Sequence, residues 1–261
     1  MLKRRLIPKL QLGLRTSYRG QRPVLQVTRQ FSNKRAIGDP LSQAKIYEAQ
    51  LADELILLDI ERTNTSWPVL LSTLELISRS LATPLSVGGG ITSYEQVQNL
   101  LDRGADKVVL NSGALDDPCL IDQVASSYGM QCVVLSIDVR ETSPGIWRVW
   151  SNGGTLETER DPLAWTAEAV NRGAGEVMVT SIDRDGTGSG LDLPLLSSLT
   201  ELLQVPVIAS GGCGLAKHLV QGYEAGASAV SAGTLFSQRD QNPMQLRSQI
   251  LNAGFPIRTE V

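Results

Sequence analysis

Four aspartates stand where short apolar stretches of the sequence end, and carboxylates in that position can take up or deliver protons. Asp59 and Asp138 close two such stretches, and Asp183 and Asp185 follow a third. If a ligand is held among them, these groups can act as general acids and bases. The structural alternative is helix capping or ion pairing with nearby arginines. We favour the catalytic interpretation for Asp138 and Asp185; for Asp183 both interpretations stay open.

Glycine-rich turns end two other apolar stretches, at Gly88-Gly89-Gly90 and at Gly211-Gly212. Glycine lets backbone N–H groups approach an anion, and the helix that follows directs its positive N-terminus at it. Asn111-Ser112 and Gly233-Thr234 would supply further small donors beside these turns. A tight turn without a ligand is the alternative for either turn alone. Two copies favour a pair of phosphate sites, which suits an extended bisphosphate.

Charged residues stand at the N-terminal starts of several of these apolar stretches. Glu54, Lys107 and Glu176 each open one, and Arg5 precedes another. Alternate strands of a barrel contribute side chains to one interior layer, so these four would pair at its N-terminal end. The default interpretation is a stabilising ion cluster. The functional alternative is a gate.

The elements that must position these residues are eight apolar stretches separated mostly by amphipathic ones. The predicted strands are residues 6–10, 54–60, 85–88, 107–111, 132–138, 176–182, 206–210 and 229–235. Amphipathic segments such as residues 41–51 and 93–103 predict helices between them. Continuous apolar strands that alternate with helices are typical of parallel strands buried on both faces. The sequence therefore predicts an α/β fold of the (β/α)₈ TIM-barrel type.

The sequence also repeats itself with a single offset. Residues 84–91 (PLSVGGGI) return as 206–213 (PVIASGGC), 122 positions later. Gly104-Ala-Asp returns as Gly226-Ala-Ser, and Glu54 as Glu176, with the same offset of 122. Three elements that share one offset predict two half-barrels, about 1–125 and 126–261, within one domain spanning 1–261.

Two segments break the regular pattern. Residues 12–35 form a long, arginine-rich and weakly periodic segment, which we interpret as a mobile loop able to cover a site. Residues 146–158 alternate apolar and polar types around Asn152-Gly153-Gly154, which predicts a β-hairpin.

Composition excludes several classes of function. The formal net charge of −3 argues against nucleic-acid or anionic-membrane partners. The chain has one histidine, His218, and three widely spaced cysteines, so we expect free thiols, no metal site and no cofactor. The sequence has neither a signal-peptide pattern nor a membrane-length apolar run, which predicts a cytoplasmic protein.

Taken together, these motifs resemble the cyclase subunit of imidazole glycerol phosphate synthase, the HisF family, over nearly the whole chain. The strings that carry the resemblance are residues 5–8 (RLIP), 38–40 (GDP), 53–60 (DELILLDI), 87–91 (VGGGI), 104–108 (GADKV), 152–154 (NGG), 180–187 (TSIDRDGT) and 208–212 (IASGG). The string at 180–187 is highly specific.

The resemblance implies a glutaminase partner, docked at the N-terminal face as a heterodimer, whose ammonia passes a charged gate and reaches a phosphorylated nucleotide at the other mouth. It implies the gate residues Arg5, Glu54, Lys107 and Glu176. The implied phosphate-binding residues are Gly90, Asn111, Ser112, Gly186, Gly212, Gly233 and Thr234. Further substrate-site residues are Asp59, Thr180, Ser210 and Arg19, which stands where the family's loop carries a lysine.

One catalytic position departs from the family pattern. The family uses two aspartates as acid and base, and the second corresponds to Asp138, whereas the first position holds Gln11. Glutamine forms hydrogen bonds but does not exchange protons near neutral pH. Loss of one such group commonly lowers the rate by about 10²–10⁴. Lys9 also replaces a small apolar residue beside it.

Three hypotheses follow. The favoured one is a paralogue that conducts ammonia to another acceptor, such as an ATP-dependent amidotransferase of surface-polysaccharide biosynthesis. The second is an authentic cyclase subunit of histidine biosynthesis that tolerates Gln11. The third is a non-catalytic phosphate-binding scaffold.

Overall fold

The structure, a computed structural model, describes residues 3–18, 20–238 and 241–257. The strands are β1 (Arg5–Ser17), β2 (Gly20–Arg29), β3 (Ser32–Gly38), β4 (Leu55–Asp59), β5 (Leu85–Gly88), β6 (Lys107–Leu110), β7 (Val133–Ser143), β8 (Ile146–Ser151), β9 (Leu156–Glu157), β10 (Glu176–Ser181), β11 (Val207–Ser210) and β12 (Ala229–Ala232). The helices are α1 (Pro40–Ala49), α2 (Trp67–Ser78), α3 (Tyr94–Leu101), α4 (Ser112–Asp116), α5 (Cys119–Tyr128), α6 (Pro162–Arg172), α7 (Leu193–Leu202), α8 (Ala216–Glu224), α9 (Thr234–Gln238) and α10 (Pro243–Asn252).

Eight of these strands close into a parallel barrel. The order around the barrel is β1, β4, β5, β6, β7, β10, β11, β12 and back to β1, and each neighbouring pair is parallel. Helices follow the strands on the outside, as α3 illustrates: Ser93 and Gln96 form a capping box at its start, and Val97 and Leu100 are buried. The (β/α)₈ TIM barrel is therefore confirmed.

The barrel interior is layered because successive side chains of a strand point to opposite faces. One layer is apolar, and we call it the apolar plug: Ile7, Ile56, Val109, Val134, Met178, Ile208 and Ala229. Two residues further along several of the strands, the inward side chains become polar. This layer, the polar floor, consists of Lys9, Ser136, Thr180, Ser210 and Ser231, all buried. Anything that crosses the barrel from the N-terminal end meets the plug first and the floor second.

Strand β1 continues beyond the barrel into an antiparallel ribbon. Its outer half pairs with β2 from Gln11↔Gln26 to Ser17↔Gly20, and β2 pairs in turn with β3. Residues 12–35 are therefore largely paired strands and not the loop that was predicted. The ribbon forms because Leu12, Leu25 and Val27 are buried, while the tip near Ser17 is exposed.

A second antiparallel extension follows β7. Strand β7 pairs with β8, and β8 pairs with β9 across a turn in which Asn152, Gly153 and Gly154 all have positive φ. The hairpin predicted around these three residues is confirmed. The first hairpin, between β7 and β8, was not predicted.

Within the described ranges, no helix combines the length and the apolar character needed to cross a bilayer.

Candidate active site at the barrel mouth

Four charged side chains close the N-terminal end of the barrel and alternate in sign. Arg5 contacts both Glu54 and Glu176, and Lys107 Nζ lies 3.2 Å from Glu54 Oε2 and 2.9 Å from Glu176 Oε2. We call this set the ion ring. The structure thus brings together the four residues predicted as a gate. Each cation is paired with both acids, so the formal charge of the ring sums to zero.

Glu54 is the most buried member of the ion ring. Burial by itself raises the pKa of its carboxyl, but the charges of Lys107 and Arg5 and the 2.6 Å hydrogen bond from Ser86 Oγ outweigh it. The net result is a pKa below the ordinary value of a glutamate. Glu54 is therefore held in its charged form by its neighbours.

The C-terminal mouth contains a cavity of about 480 Å³. Gly90, Asn111 and Ser112, the first predicted phosphate cradle, line it together with Asp138. Ser112 Oγ accepts a 2.9 Å hydrogen bond from the backbone N–H of Asn152, so its own hydroxyl hydrogen remains available to donate to an anion. We call these three residues the N-half cradle.

Asp138 is buried on the wall of this cavity, at the level above the polar floor. Burial raises the pKa of Asp138 to about 6, and the hydrogen bond from Asn111 and the charge of Lys9 offset part of that effect. Asn111 Nδ2 donates to Asp138 Oδ2 at 2.8 Å. A carboxylate with a pKa near neutrality can act as a general base or acid under physiological conditions.

The second predicted phosphate cradle has much less open space. Gly186, Gly212, Gly233 and Thr234, which we call the C-half cradle, line a recess of about 10 Å³, room for about one water. The recess is narrow because β2 lies across it: a Cβ added to Gly186 would come within 2.0 Å of the backbone oxygen of Thr28. The structure brings this predicted set together as well.

Gln11 belongs to a chain of polar contacts between the two cradles. Its Nε2 lies 3.5 Å from Thr28 Oγ1, which donates a 2.7 Å hydrogen bond to Asp185 Oδ2. Asp185 Oδ1 lies 3.7 Å from Lys9 Nζ, which donates to Ser210 Oγ at 3.0 Å. The amide of Gln11 is therefore connected to Asp185 and Lys9 through Thr28.

Of the other predicted site residues, some line the large cavity and others do not. Asp59 lines the large cavity, but its carboxylate accepts hydrogen bonds from the backbone of Glu61 and from Ser66 Oγ, which favours a bracing role. Asp183 is exposed and accepts from the backbone N–H of Glu141. Thr180 lies in the polar floor on the cavity wall. Arg19 lies outside the described residues.

Sequence reasoning missed several residues that line the mouth. Thr28 lies on β2, and the sequence around it gives no sign that β2 pairs with β1. Arg62 lies in the loop after β4 and reaches Gly153. Ser136 and Ser231 stand two positions after plug residues, so strict alternation along their strands would have found them. Among the described residues, no group of histidine, cysteine, aspartate and glutamate side chains is arranged to hold a metal ion.

Comparison with known proteins identifies the family. A family model described as "Histidine biosynthesis protein" matches residues 18–242. The chain is 66% identical over 260 residues, covering 100% of both proteins, to a Prochlorococcus marinus (strain MIT 9313) protein whose name assigns it provisionally as imidazole glycerol phosphate synthase subunit hisF2. It is also 40% identical over 258 residues to imidazole glycerol phosphate synthase subunit HisF of Exiguobacterium sibiricum, covering 99% of this chain and 100% of the relative.

A third relative gives the same result. The HisF subunit of Gluconacetobacter diazotrophicus is 39% identical over 258 residues, which is 99% of this chain and 97% of that protein. With the closed barrel, the ion ring and the two glycine-rich cradles already in place, these full-length matches show that the chain belongs to the HisF family of imidazole glycerol phosphate synthase subunits.

Proposed function

We propose that this HisF-type barrel is the ammonia-conducting subunit of a glutamine amidotransferase complex. A glutaminase docks at the ion ring, ammonia crosses the apolar plug, and a phosphorylated acceptor is bound at the opposite mouth. The cyclase reaction of the family is weak or absent, so the chain is a paralogue that feeds ammonia to another acceptor or to an ATP-dependent synthetase.

The observation that carries this proposal is the amide of Gln11 at the mouth. Asp138 supports one proton transfer, because its pKa of about 6 lets it exchange protons near neutrality. Gln11 supplies no second proton-transfer group, and its Nε2 is directed at Thr28. A barrel that keeps its ligand cradles but lacks one of two proton-transfer groups fits a conduit better than a cyclase.

The interior supports conduction of a neutral molecule. The ion ring is paired on all sides, and the apolar plug beyond it offers no hydrogen-bond partners. An ammonium ion would lose its hydration in the plug at a high cost in free energy, whereas neutral ammonia would not. The route through the plug therefore admits neutral ammonia, which is the nucleophilic form, and disfavours the ammonium ion.

Ammonia-dependent turnover of the family's ribulosyl aminoimidazole carboxamide nucleotide tests the proposal. The unmodified chain should bind the nucleotide but turn it over very slowly, and Gln11→Asp should raise the rate by about 10²-fold. Gln11→Asn, which keeps an amide, is the matched control and should leave the rate unchanged. A rate ordinary for the family in the unmodified chain would overturn the paralogue assignment.

The second candidate, an authentic cyclase of histidine biosynthesis, is favoured by the full-length identity to HisF subunits. Complementation of a histidine auxotroph lacking its own HisF distinguishes the two. Growth with this chain co-expressed with a glutaminase subunit supports the cyclase assignment. Growth only with the Gln11→Asp variant supports the paralogue assignment.

A further inference from the structure

The chain's only histidine, His218, is buried at the start of helix α8. It is the third residue of that helix and is 6% exposed. Its Nδ1 accepts a 3.2 Å hydrogen bond from the backbone N–H of Gly214, which is also buried. A buried backbone N–H needs an acceptor, and among the described residues the imidazole provides it. His218 therefore fixes the backbone just before α8 begins.

The imidazole also lies against the loop that follows β10. A Cβ added to Gly190 would lie 3.6 Å from His218 Cδ2, so the ring covers the backbone at that glycine. The backbone N–H of Gly190 in turn donates to Gly212 O at 2.8 Å. One side chain thus contacts both of the loops that carry Gly186 and Gly212 of the C-half cradle.

The loop between β11 and α8 has little stiffness of its own. Three of the four residues at 211–214 (GGCG) are glycine, and Gly211 and Gly212 have φ of +87° and +97°. Glycine lets the backbone approach an anion, but it adopts many conformations, and ordering them at the moment of binding costs affinity. Such a loop binds an anion better when contacts from outside it already select one conformation. The hydrogen bond from Gly214 to His218 is a contact of that kind.

This hydrogen bond sets the ionisation state that His218 needs. Nδ1 accepts only when the imidazole is neutral and carries its hydrogen on Nε2. Burial lowers the pKa of His218, and the positive charge of Lys217 lowers it further. His218 is therefore in the accepting form at neutral pH.

We propose that His218 is a positioning residue for anion binding: by holding Gly214, it keeps the loop at 211–214 in the conformation in which Gly212 contacts a phosphate. His218 lines neither cavity at the mouth, so it acts through the backbone and not by touching the ligand. This deepens the proposed function, because it rests on the phosphorylated acceptor proposed there.

Three variants separate positioning from stability. Asparagine places its Oδ1 where His218 has Nδ1, glutamine places its oxygen one bond further out, and leucine has no acceptor. Inorganic sulfate is the probe, because it keeps one charge state near neutral pH. The backbone amide NMR signal of Gly212 follows binding at the C-half cradle, and that of Gly90 follows binding at the N-half cradle.

His218→Asn should bind sulfate at Gly212 with an affinity within about twofold of the unmodified chain. His218→Gln and His218→Leu should bind it about fivefold more weakly, because one hydrogen bond that holds the loop is lost. The affinity at Gly90 is the internal control and should be the same in all of these proteins.

The unmodified chain provides a second measurement that needs no variant. Because the chain has a single histidine, the imidazole signals in a ¹⁵N NMR spectrum belong to His218 without further assignment. At pH 7 they should show a neutral ring with its hydrogen on Nε2. A hydrogen on Nδ1 would contradict the hydrogen bond to Gly214 and with it the inference.

Thermal unfolding of the same variants measures stability separately. If His218→Gln and His218→Leu lower the melting temperature but leave the sulfate affinity at Gly212 unchanged, His218 only caps α8 and the inference fails. It also fails if sulfate does not perturb Gly212 in the unmodified chain. These measurements need neither glutaminase nor ammonia, so a failure of ammonia transfer would count against the proposed function alone.

Discussion

Thr28 Oγ1 donates a 2.7 Å hydrogen bond to Asp185 Oδ2, which fastens β2 to the loop that follows β10. Gln30 adds two bonds to the same loop, from its backbone N–H to Asp185 O at 2.8 Å and from Nε2 to Asp183 O at 2.9 Å. We call these three hydrogen bonds the latch. The latch keeps the recess of the C-half cradle at about 10 Å³, too small for a phosphate. If the C-half cradle binds phosphate, as proposed, β2 therefore has to lift.

Thr28→Val should strengthen phosphate binding at the C-half cradle. The substitution removes one latch hydrogen bond, a net contribution of about 1 kcal/mol, which corresponds to about a fivefold gain in affinity. Titration calorimetry with inorganic phosphate measures it, with Thr16→Val on the exposed part of the ribbon as the control. An affinity equal to that of the unmodified chain would show that the latch does not oppose phosphate binding.

Replacing Asp138 by asparagine should change how stability depends on pH. The folded-state pKa of about 6 lies above the ordinary value of 3.8, so the native state binds more protons between these two values. The free energy of unfolding should therefore fall as pH rises from about 4 to about 6 in the unmodified chain. Asp138→Asn should remove this fall and be more stable by about 2–3 kcal/mol at pH 7, but not at pH 4.

Urea unfolding at a series of pH values measures this difference. Asp102→Asn, which alters an exposed carboxylate, is the control and should reproduce the pH dependence of the unmodified chain. An Asp138→Asn difference that is the same at every pH would contradict the raised pKa.

Removing one cation from the ion ring should make the protein sensitive to acid. Glu54 has a lowered pKa, so its contribution to stability is present above the ordinary glutamate pKa and lost as pH falls through the lowered value. Lys107→Met raises the Glu54 pKa, because one of the charges that offset burial is gone. We expect a loss of about 2–3 kcal/mol at neutral pH and acid unfolding that begins at higher pH.

Lys107→Arg keeps the charge and serves as the matched control. Circular dichroism during acid titration detects the shift. If Lys107→Met and Lys107→Arg unfold at the same pH, the ring does not govern the ionisation of Glu54.

Two glycines of the C-half cradle should respond differently to alanine. At Gly212, φ is +97°, and an added Cβ would lie 2.1 Å from the backbone oxygen of Gly190. At Gly233 the nearest atom to an added Cβ is the backbone oxygen of Lys9, at 3.4 Å. Gly212→Ala should lose at least about 1 kcal/mol of stability, whereas Gly233→Ala should stay within about 0.5 kcal/mol of the unmodified chain. Thermal unfolding of both variants compares them directly, and equal losses would contradict the expectation.

Much of the fold was predictable because the barrel strands are buried on both faces. Strands such as β5 and β10 are buried at every position, and their predicted bounds agree with the structure within one residue. The repeat offset of 122 residues then placed the two glycine turns at corresponding positions. The strand pattern and the repeat can both be recognised in the sequence without knowing which residues contact each other in the fold.

The ribbon, the contribution of Thr28 and the depth of Lys9 were not predicted because their signals depend on distant residues. β2 is half exposed and arginine-rich, and only its pairing with β1 makes Leu25 and Val27 buried. Thr28 joins the site through Asp185, which lies 157 positions away in the sequence. Lys9 is buried because its side chain, like that of Ile7 two positions earlier on β1, points into the barrel. Which side chains of β1 point inward becomes evident only in the closed barrel.

Strand β1 leaves the barrel at Gln11, which pairs with Leu58 of β4 on one side and with Gln26 of β2 on the other. Because no break separates the barrel part of β1 from its ribbon part, the ribbon cannot swing freely as a loop would. The residue that replaces the expected acid therefore lies at the junction of barrel and ribbon, and its backbone is held by a strand of each.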